Sequence, residues 1–184
     1  MKLFSRKEFI ELLEWVFVLY VALHMSVYGA AKYIQFGDIN QYTQPLNSYK
    51  GMQLMWAFYA YSKTFSVIIG IFEIVGSVLL ILPKTRILGG FILTSILVNI
   101  ILQDIFYGVH LGALLGAILY QILIFIIFYW HRKQILQAFS KLKLTNALIL
   151  KNNFLKYVIT GILIFIGLYY IPKIMVSIIH FFNI

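Results

Sequence analysis

The chain has no cysteine, only three prolines and six acidic residues, and these scarcities exclude several kinds of chemistry. Without cysteine there is no disulfide, no thiolate nucleophile and no cysteine-ligated iron–sulfur cluster. Charged residues make up 11% of the 184 residues and hydrophobic ones 62%, whereas about a quarter of a soluble domain is charged. This composition predicts an integral membrane protein. Since no linker divides the chain, it also predicts one domain over residues 1–184.

Five hydrophobic runs are each close to the ~20 residues with which an α-helix crosses a bilayer. We therefore predict an all-α fold, an integral membrane four-helix bundle followed by a fifth, C-terminal transmembrane helix. Pro172 is expected to bend or interrupt that last helix. The predicted helices cover residues 6–33, 65–82, 87–106, 110–130 and 157–178.

Two further segments are predicted to lie at the membrane surfaces. Residues 48–62 are rich in aromatic side chains, as is typical of an interfacial belt, and Trp56 and Tyr59 are expected to form a lid over the outer end of the bundle. Residues 131–156 alternate basic and apolar side chains, which indicates an amphipathic segment at the inner surface.

The net charge of +9 does not indicate nucleic acid, because the basic residues flank hydrophobic runs. Lysine and arginine concentrate in the N-terminal segment, in residues 83–86 and in residues 131–156. By the positive-inside rule these segments face the cytoplasm. The sequence thus predicts a bacterial inner (plasma) membrane protein with a cytoplasmic N-terminus and an external C-terminus.

Glu73 stands in the middle of an apolar run, where an uncompensated charge costs several kcal/mol. We expect it to be neutral, paired with Lys32 or His24, or exposed to a wet cavity that opens outward. Polar residues at helical spacing on neighbouring helices are predicted to complete a ligand or proton site; they are His24, Tyr28, Lys32, Asn99, Gln103 and Asp104. The alternative is that these side chains only join helices by hydrogen bonds.

Gly108, Gly112 and Gly116 form a doubled G-x-x-x-G at the start of the fourth helix. Glycines on one face let another backbone approach closely, so this stripe is predicted to be a packing seam. Its partner is either a helix of the same chain or a second subunit.

No metal site is predicted, since no zinc motif, nucleotide loop or nucleophile elbow occurs in the sequence. A haem held by His24 and His110 is unfavourable, because the two lie at depths that differ by roughly 13 Å at ~1.5 Å per residue.

Four sequence pieces resemble the DoxX-like family of small polytopic membrane proteins. They are YGAAK (28–32), MWAFYAYS (55–62), GIFEIVGSVLLILPKTRILGG (70–90) and LVNIILQDIFYGV (97–109). The resemblance singles out Lys32, Trp56, Glu73, Asn99 and Tyr107. Gln103 and Gly108 depart from the pattern, which has Asn and Asp at those places.

The resemblance implies a small membrane subunit of a quinone-linked redox complex, an accessory subunit rather than a stand-alone enzyme. A quinone would bind at the polar site around Glu73. The alternative is a non-enzymatic scaffold or assembly subunit that docks a larger membrane protein, or a second copy of itself, through the glycine stripe and the basic inner segment. A transporter is less favoured, because no inverted repeat or pair of broken helices is visible.

Overall fold

The structure is a computed structural model that describes residues 5–141 and 154–181. The described residues form helices and connecting turns, without a strand. The α-helices are α1 (Arg6–Ala31), α2 (Gly51–Tyr61), α3 (Lys63–Ile81), α4 (Arg86–Phe106), α5 (Leu111–Trp130), α6 (Arg132–Lys141) and α7 (Phe154–Phe181). Two short 3-10 helices, Ile39–Gln41 and Leu46–Ser48, lie between α1 and α2.

Five of these helices, α1, α3, α4, α5 and α7, are long and apolar enough to cross a membrane. The predicted all-α membrane fold is therefore confirmed. The bounds of α1, α3, α4 and α5 lie within two residues of the predicted ranges.

The helices fall into two units, residues 1–140 and residues 141–184. The prediction of one domain over the whole chain stays a prediction. In the first unit α1 packs on α3, α3 on α4, α4 on α5 and α5 on α1, which closes a four-helix ring. The core is almost wholly aliphatic; its fully buried members are Val18, Val21, Met25, Leu80, Leu93, Leu97, Ile124 and Ile127.

Glycines bring neighbouring helices of this ring into backbone contact at two places. A Cβ on Gly29 of α1 would lie 2.5 Å from the carbonyl oxygen of Gly70 on α3. A Cβ on Gly89 of α4 would lie 2.7 Å from the carbonyl oxygen of Gly76 on α3. Because a real Cβ cannot come so close, these pairs set the spacing of α3 from both of its neighbours.

In this unit the nearest atoms to a Cβ on Gly108, Gly112 or Gly116 include no backbone of another helix, so the packing seam expected there stays a prediction for contact with a second subunit. Gly108 lies in the turn before α5, with φ +64°, and a Cβ there would meet nothing within 4 Å. A Cβ on Gly112 would meet only His110, and the atoms nearest to one on Gly116 belong to the phenol groups of Tyr120 and Tyr28, at 3.5 Å and 3.8 Å. The physical reason is that the stripe begins in the turn, so its first two glycines are exposed.

The second unit contains α7, which runs without interruption through Pro172. The predicted interruption there is wrong, because the helical turns on both sides continue past the one N–H that proline removes, whereas the alternative of a bend stays a prediction. Of the predicted basic segment 131–156, residues 132–141 form α6, whose exposed Leu136 and Phe139 accompany basic side chains. Residues 142–153 of that segment lie outside the described residues.

Candidate functional site

Glu73 of α3 and Lys32 at the end of α1 form a buried ion pair. The Lys32 Nζ lies 3.6 Å from Oε1 of Glu73. The Glu73 side chain is fully buried, and that of Lys32 is 11% exposed. The structure thus places beside Glu73 one of the two partners that the sequence offered, Lys32.

The course of the helices explains why these two side chains meet. Side chains on a helix lean toward its N-terminus. Because α1 and α3 run in opposite directions, Lys32 leans into the bundle while Glu73 leans out toward it. The contact of Gly29 with Gly70 lies next to the pair, since a Cβ on Gly70 would come within 3.0 Å of the Lys32 Cβ. The glycines therefore hold the two helices at a distance that the lysine can span.

A cavity of about 230 Å³, here called lobe one, lies against the ion pair. Its wall combines polar side chains with the apolar Phe36, Met55 and Ile69; the polar ones are Lys32, Gln35, Tyr59, Glu73, Ser95, Asn99, Gln103 and Asp104. Ser95 and Asn99 are exposed on α4, so lobe one reaches the flank of the bundle.

A short hydrogen-bond chain crosses lobe one. The Tyr59 hydroxyl lies 2.9 Å from Oε1 of Gln103, and Nε2 of Gln103 donates to Oδ1 of Asn99 at 2.7 Å. Burial raises the pKa of the Tyr59 hydroxyl above its ordinary value. The hydroxyl accordingly keeps its proton at neutral pH and can act as a donor.

Aromatic side chains of α2 and of the segment before it cover this end of the bundle. The Tyr59 ring stacks on Phe36 with centroids 4.6 Å apart, and the Trp56 ring meets Phe36 edge-on at 5.9 Å. The sequence pointed to Trp56 and Tyr59 but missed Phe36. The burial of Phe36 could not be predicted, because this residue lies between a polar turn and Gly37 and belongs to no helical pattern.

A second cavity, lobe two, has a volume of about 270 Å³ and lies toward the start of α5. Tyr28, Trp56 and His110 line it, together with Met52 and other apolar side chains. Lys32 and Asp104 line both lobes, so the two cavities adjoin at these residues.

His24 lies apart from both lobes. Its Nδ1 lies 2.8 Å from the carbonyl oxygen of Tyr20, and its ring packs near that of Tyr120, with centroids 5.2 Å apart. The predicted stripe of His24, Tyr28 and Lys32 therefore divides, because only its last two members reach a cavity. Within residues 5–141 and 154–181 no group of three or more acidic or histidine side chains is placed to hold a metal ion.

A second ionic cluster ties the other end of the bundle together. Arg86 Nη1 donates to Oε1 of Glu14, and Nε2 of His131 lies 2.8 Å from the same oxygen. The Arg86 guanidinium also donates from Nε to the Leu80 carbonyl and lies over the Trp15 ring. Sequence reasoning missed this cluster. The sequence did contain a signal for it. Glu14 lies at the start of the first apolar run, and Arg86 lies at the start of α4, which is the same end of the bundle.

Some buried polar atoms of the described residues have no hydrogen-bond partner. They include both carboxylate oxygens of Glu73 and Oδ2 of Asp104. A buried carboxylate oxygen without a hydrogen-bond donor costs free energy, and a ligand or a bound proton beside it would lower that cost.

Fold and site together define a polytopic α-helical membrane protein with a buried ion pair beside a two-lobed cavity. Over 84 residues the chain is 37% identical to "Uncharacterized protein YwoB" of Bacillus subtilis (strain 168), which covers 45% of this chain and 54% of that protein. The chain thus spans about half the length of this curated relative. No family model and no solved structure matches the chain.

Proposed function

We propose that lobe one binds the head group of a membrane quinone, and that the protein is the small membrane subunit of a quinone-linked redox complex. The observation that carries this proposal is the buried Lys32–Glu73 pair facing a cavity of mixed polar and apolar lining. The resemblance to DoxX-like proteins supports it independently.

The lining of lobe one contains several side chains that can donate hydrogen bonds to a ring-shaped ligand. A quinone has two oxygens that accept hydrogen bonds from opposite ends of its ring. In this proposal Lys32 donates to one oxygen and the Tyr59 hydroxyl or the Gln103 amide to the other. Apolar side chains such as Phe36 and Ile69 pack on the ring faces.

A quinone becomes a quinol by taking up two electrons and two protons, one proton at each oxygen. The electrons come from a redox partner subunit. The Lys32–Glu73 pair supplies one proton and is protonated again from the outer side, while the second proton enters through the Tyr59 hydroxyl from solvent.

The flank of lobe one suits a ligand that arrives from the lipid. α4 is long enough to span the membrane. Ser95 lies near the middle of this helix and Asn99 one turn further on, and both polar side chains are exposed. Polar groups facing hydrocarbon are unfavourable, so an opening filled by a lipid-soluble ligand accounts for them.

The experiment that tests this proposal measures binding of menadione, a soluble naphthoquinone, to the purified full chain in detergent. Quinones quench tryptophan fluorescence, and Trp56 lies in the lid. We expect saturable quenching that is about tenfold weaker in Glu73→Gln, which corresponds to ~1.4 kcal/mol. Glu11→Gln, at an exposed site, is the matched control. Equal affinity in both variants, or no quinone in a lipid extract of the wild-type protein, would overturn the proposal.

A scaffold function is the second candidate, and one observation favours it. The face of α5 that carries Gly112 is exposed and flanked by the exposed Leu111 and Leu115. A helix of another subunit, or of a second copy, could pack closely there. Cross-linking or co-purification that Gly112→Leu abolishes would favour this role.

We further propose that the protein lies in a bacterial inner membrane with its N-terminus in the cytoplasm. The distribution of lysine and arginine supports this orientation. It places the Lys32–Glu73 pair toward the outer side and the Glu14–Arg86 cluster toward the cytoplasm.

A further inference from the structure

We propose that lobe two binds an organic ammonium group, that of a primary amine, with Asp104 as its counter-ion. This inference does not depend on quinone binding in lobe one, because its anchor is Asp104 and its cavity is lobe two, although the two lobes adjoin.

Asp104 is the anchor of this site. It lies near the end of α4, is 7% exposed and lines lobe two. Its Oδ2 is buried without a hydrogen-bond donor. A primary ammonium supplies such a donor together with a positive charge, and charge-assisted bonds of this kind are the strong ones.

The side chains around the two lobes include more carboxylates than ammonium groups. Two carboxylates, Glu73 and Asp104, share one ammonium, that of Lys32, which is paired with Glu73. The Nδ1 of His110 accepts the N–H of Ala113 at 3.2 Å, so that nitrogen donates no hydrogen bond to Asp104. A net buried negative charge is costly, so a cationic ligand stabilises the folded bundle.

The remaining lining favours an organic cation over a metal ion. Tyr28 and Trp56 present aromatic rings, which attract ammonium groups through their faces, and Met52 and Met55 add polarisable thioethers. Calcium, by contrast, takes 6–8 oxygen ligands, more than this wall offers. A volume of about 270 Å³ admits a small amine or a lipid head group, not a folded peptide.

The amine has two possible sources with the same chemistry, a free amine such as ethanolamine or the head group of phosphatidylethanolamine. The test uses the full chain in nanodiscs made only of phosphatidylglycerol, which has no ammonium group. Trp15→Phe and Trp130→Phe together leave Trp56 as the single tryptophan, since the chain has three. Ethanolamine is titrated while the Trp56 emission is recorded, and ethanol serves as the neutral analogue.

We expect a saturable change with ethanolamine and none with ethanol. In Asp104→Asn the affinity should fall at least tenfold, whereas Asp38→Asn, an exposed loop site, should leave it unchanged. If the lipid is the source, phosphatidylethanolamine nanodiscs raise the unfolding temperature of the wild type and not of Asp104→Asn, and free ethanolamine no longer changes the emission. No saturable response to either source, or equal affinity in Asp104→Asn, would overturn the proposal and leave a carboxyl that simply holds a proton.

Discussion

Lys32 Nζ and Glu73 Oε1 lie 3.6 Å apart in the interior of a helical bundle, and the Glu73 side chain is fully buried. A carboxylate at that depth is tolerated only with a partner. The pair is therefore a structural requirement as well as the centre of the proposed site.

The first prediction separates these two roles. Lys32→Met leaves the Glu73 carboxylate without its partner and should lower the free energy of unfolding by about 3–5 kcal/mol. Lys32→Met combined with Glu73→Gln removes both charges and should recover most of that loss. Thermal unfolding of the wild type, both single variants and the double variant in one detergent measures the coupling. Additive effects would show that the two groups do not interact.

A second prediction concerns the close approach of α1 and α3. Gly29→Ala places a Cβ 2.5 Å from the Gly70 carbonyl oxygen and 3.2 Å from the Glu73 Cβ. The helices must separate, and we expect a loss of about 1–3 kcal/mol from overpacking.

Gly112→Ala is the control for that substitution. Both changes gain the same helix propensity, about 1 kcal/mol, but a Cβ on Gly112 meets only His110, at 3.5 Å. The control should be neutral or stabilising. If both variants unfold at the same temperature, the glycine contact does not set the helix spacing.

Much of this fold could be predicted from the lengths of the hydrophobic runs. Inside a bilayer the backbone N–H and C=O groups of a single apolar run are all hydrogen-bonded only in a helix. The placement of Glu73 inside the bundle follows from the cost of its charge. What the sequence could not show is which glycines meet. Gly29 and Gly70 are far apart in the chain, whereas the regular spacing of Gly108, Gly112 and Gly116 drew attention to a stripe that begins in a turn.

The ionic cluster at the other end was missed for a related reason. Glu14 follows two other glutamates on α1, Glu8 and Glu11, and all three fit the favourable interaction of acids with a helix N-terminus. Periodicity alone does not reveal that Glu14 turns inward while Glu11 stays exposed. Glu14 turns inward because its partners, Arg86 of α4 and His131 at the end of α5, lie there.

The third prediction concerns the lid. Tyr59→Phe removes the hydroxyl that meets Gln103 and should weaken menadione binding severalfold, with a stability loss of about 1 kcal/mol for the lost hydrogen bond. Tyr61→Phe, two residues along α2 and 82% exposed, should change neither quantity. Fluorescence titration and thermal unfolding of both variants provide the comparison. A Tyr59→Phe variant that binds like Tyr61→Phe would remove the hydroxyl from the proposed site.

A fourth prediction uses the absence of cysteine, which makes every introduced thiol a unique label. Lys84→Cys lies in the exposed turn between α3 and α4, and Asn47→Cys in the exposed segment before α2. For a cytoplasmic N-terminus, a membrane-impermeant maleimide should label Asn47→Cys in intact cells and Lys84→Cys only after permeabilisation. The opposite pattern would invert the proposed orientation.

The fifth prediction concerns Glu14, which lies about 27 Å from Lys32 along α1 at ~1.5 Å per residue. Glu14→Gln leaves the guanidinium of Arg86, a residue that is 7% exposed, without its carboxylate, and should cost about 3–5 kcal/mol. Glu11→Gln removes an exposed acid that lies 3.9 Å from Lys7, and such pairs contribute at most about 1 kcal/mol. Because Glu14 is remote from both lobes, its loss should lower the unfolding temperature while menadione and ethanolamine affinities of the folded fraction stay unchanged. A change in either affinity would mean that the two ends of the bundle are coupled.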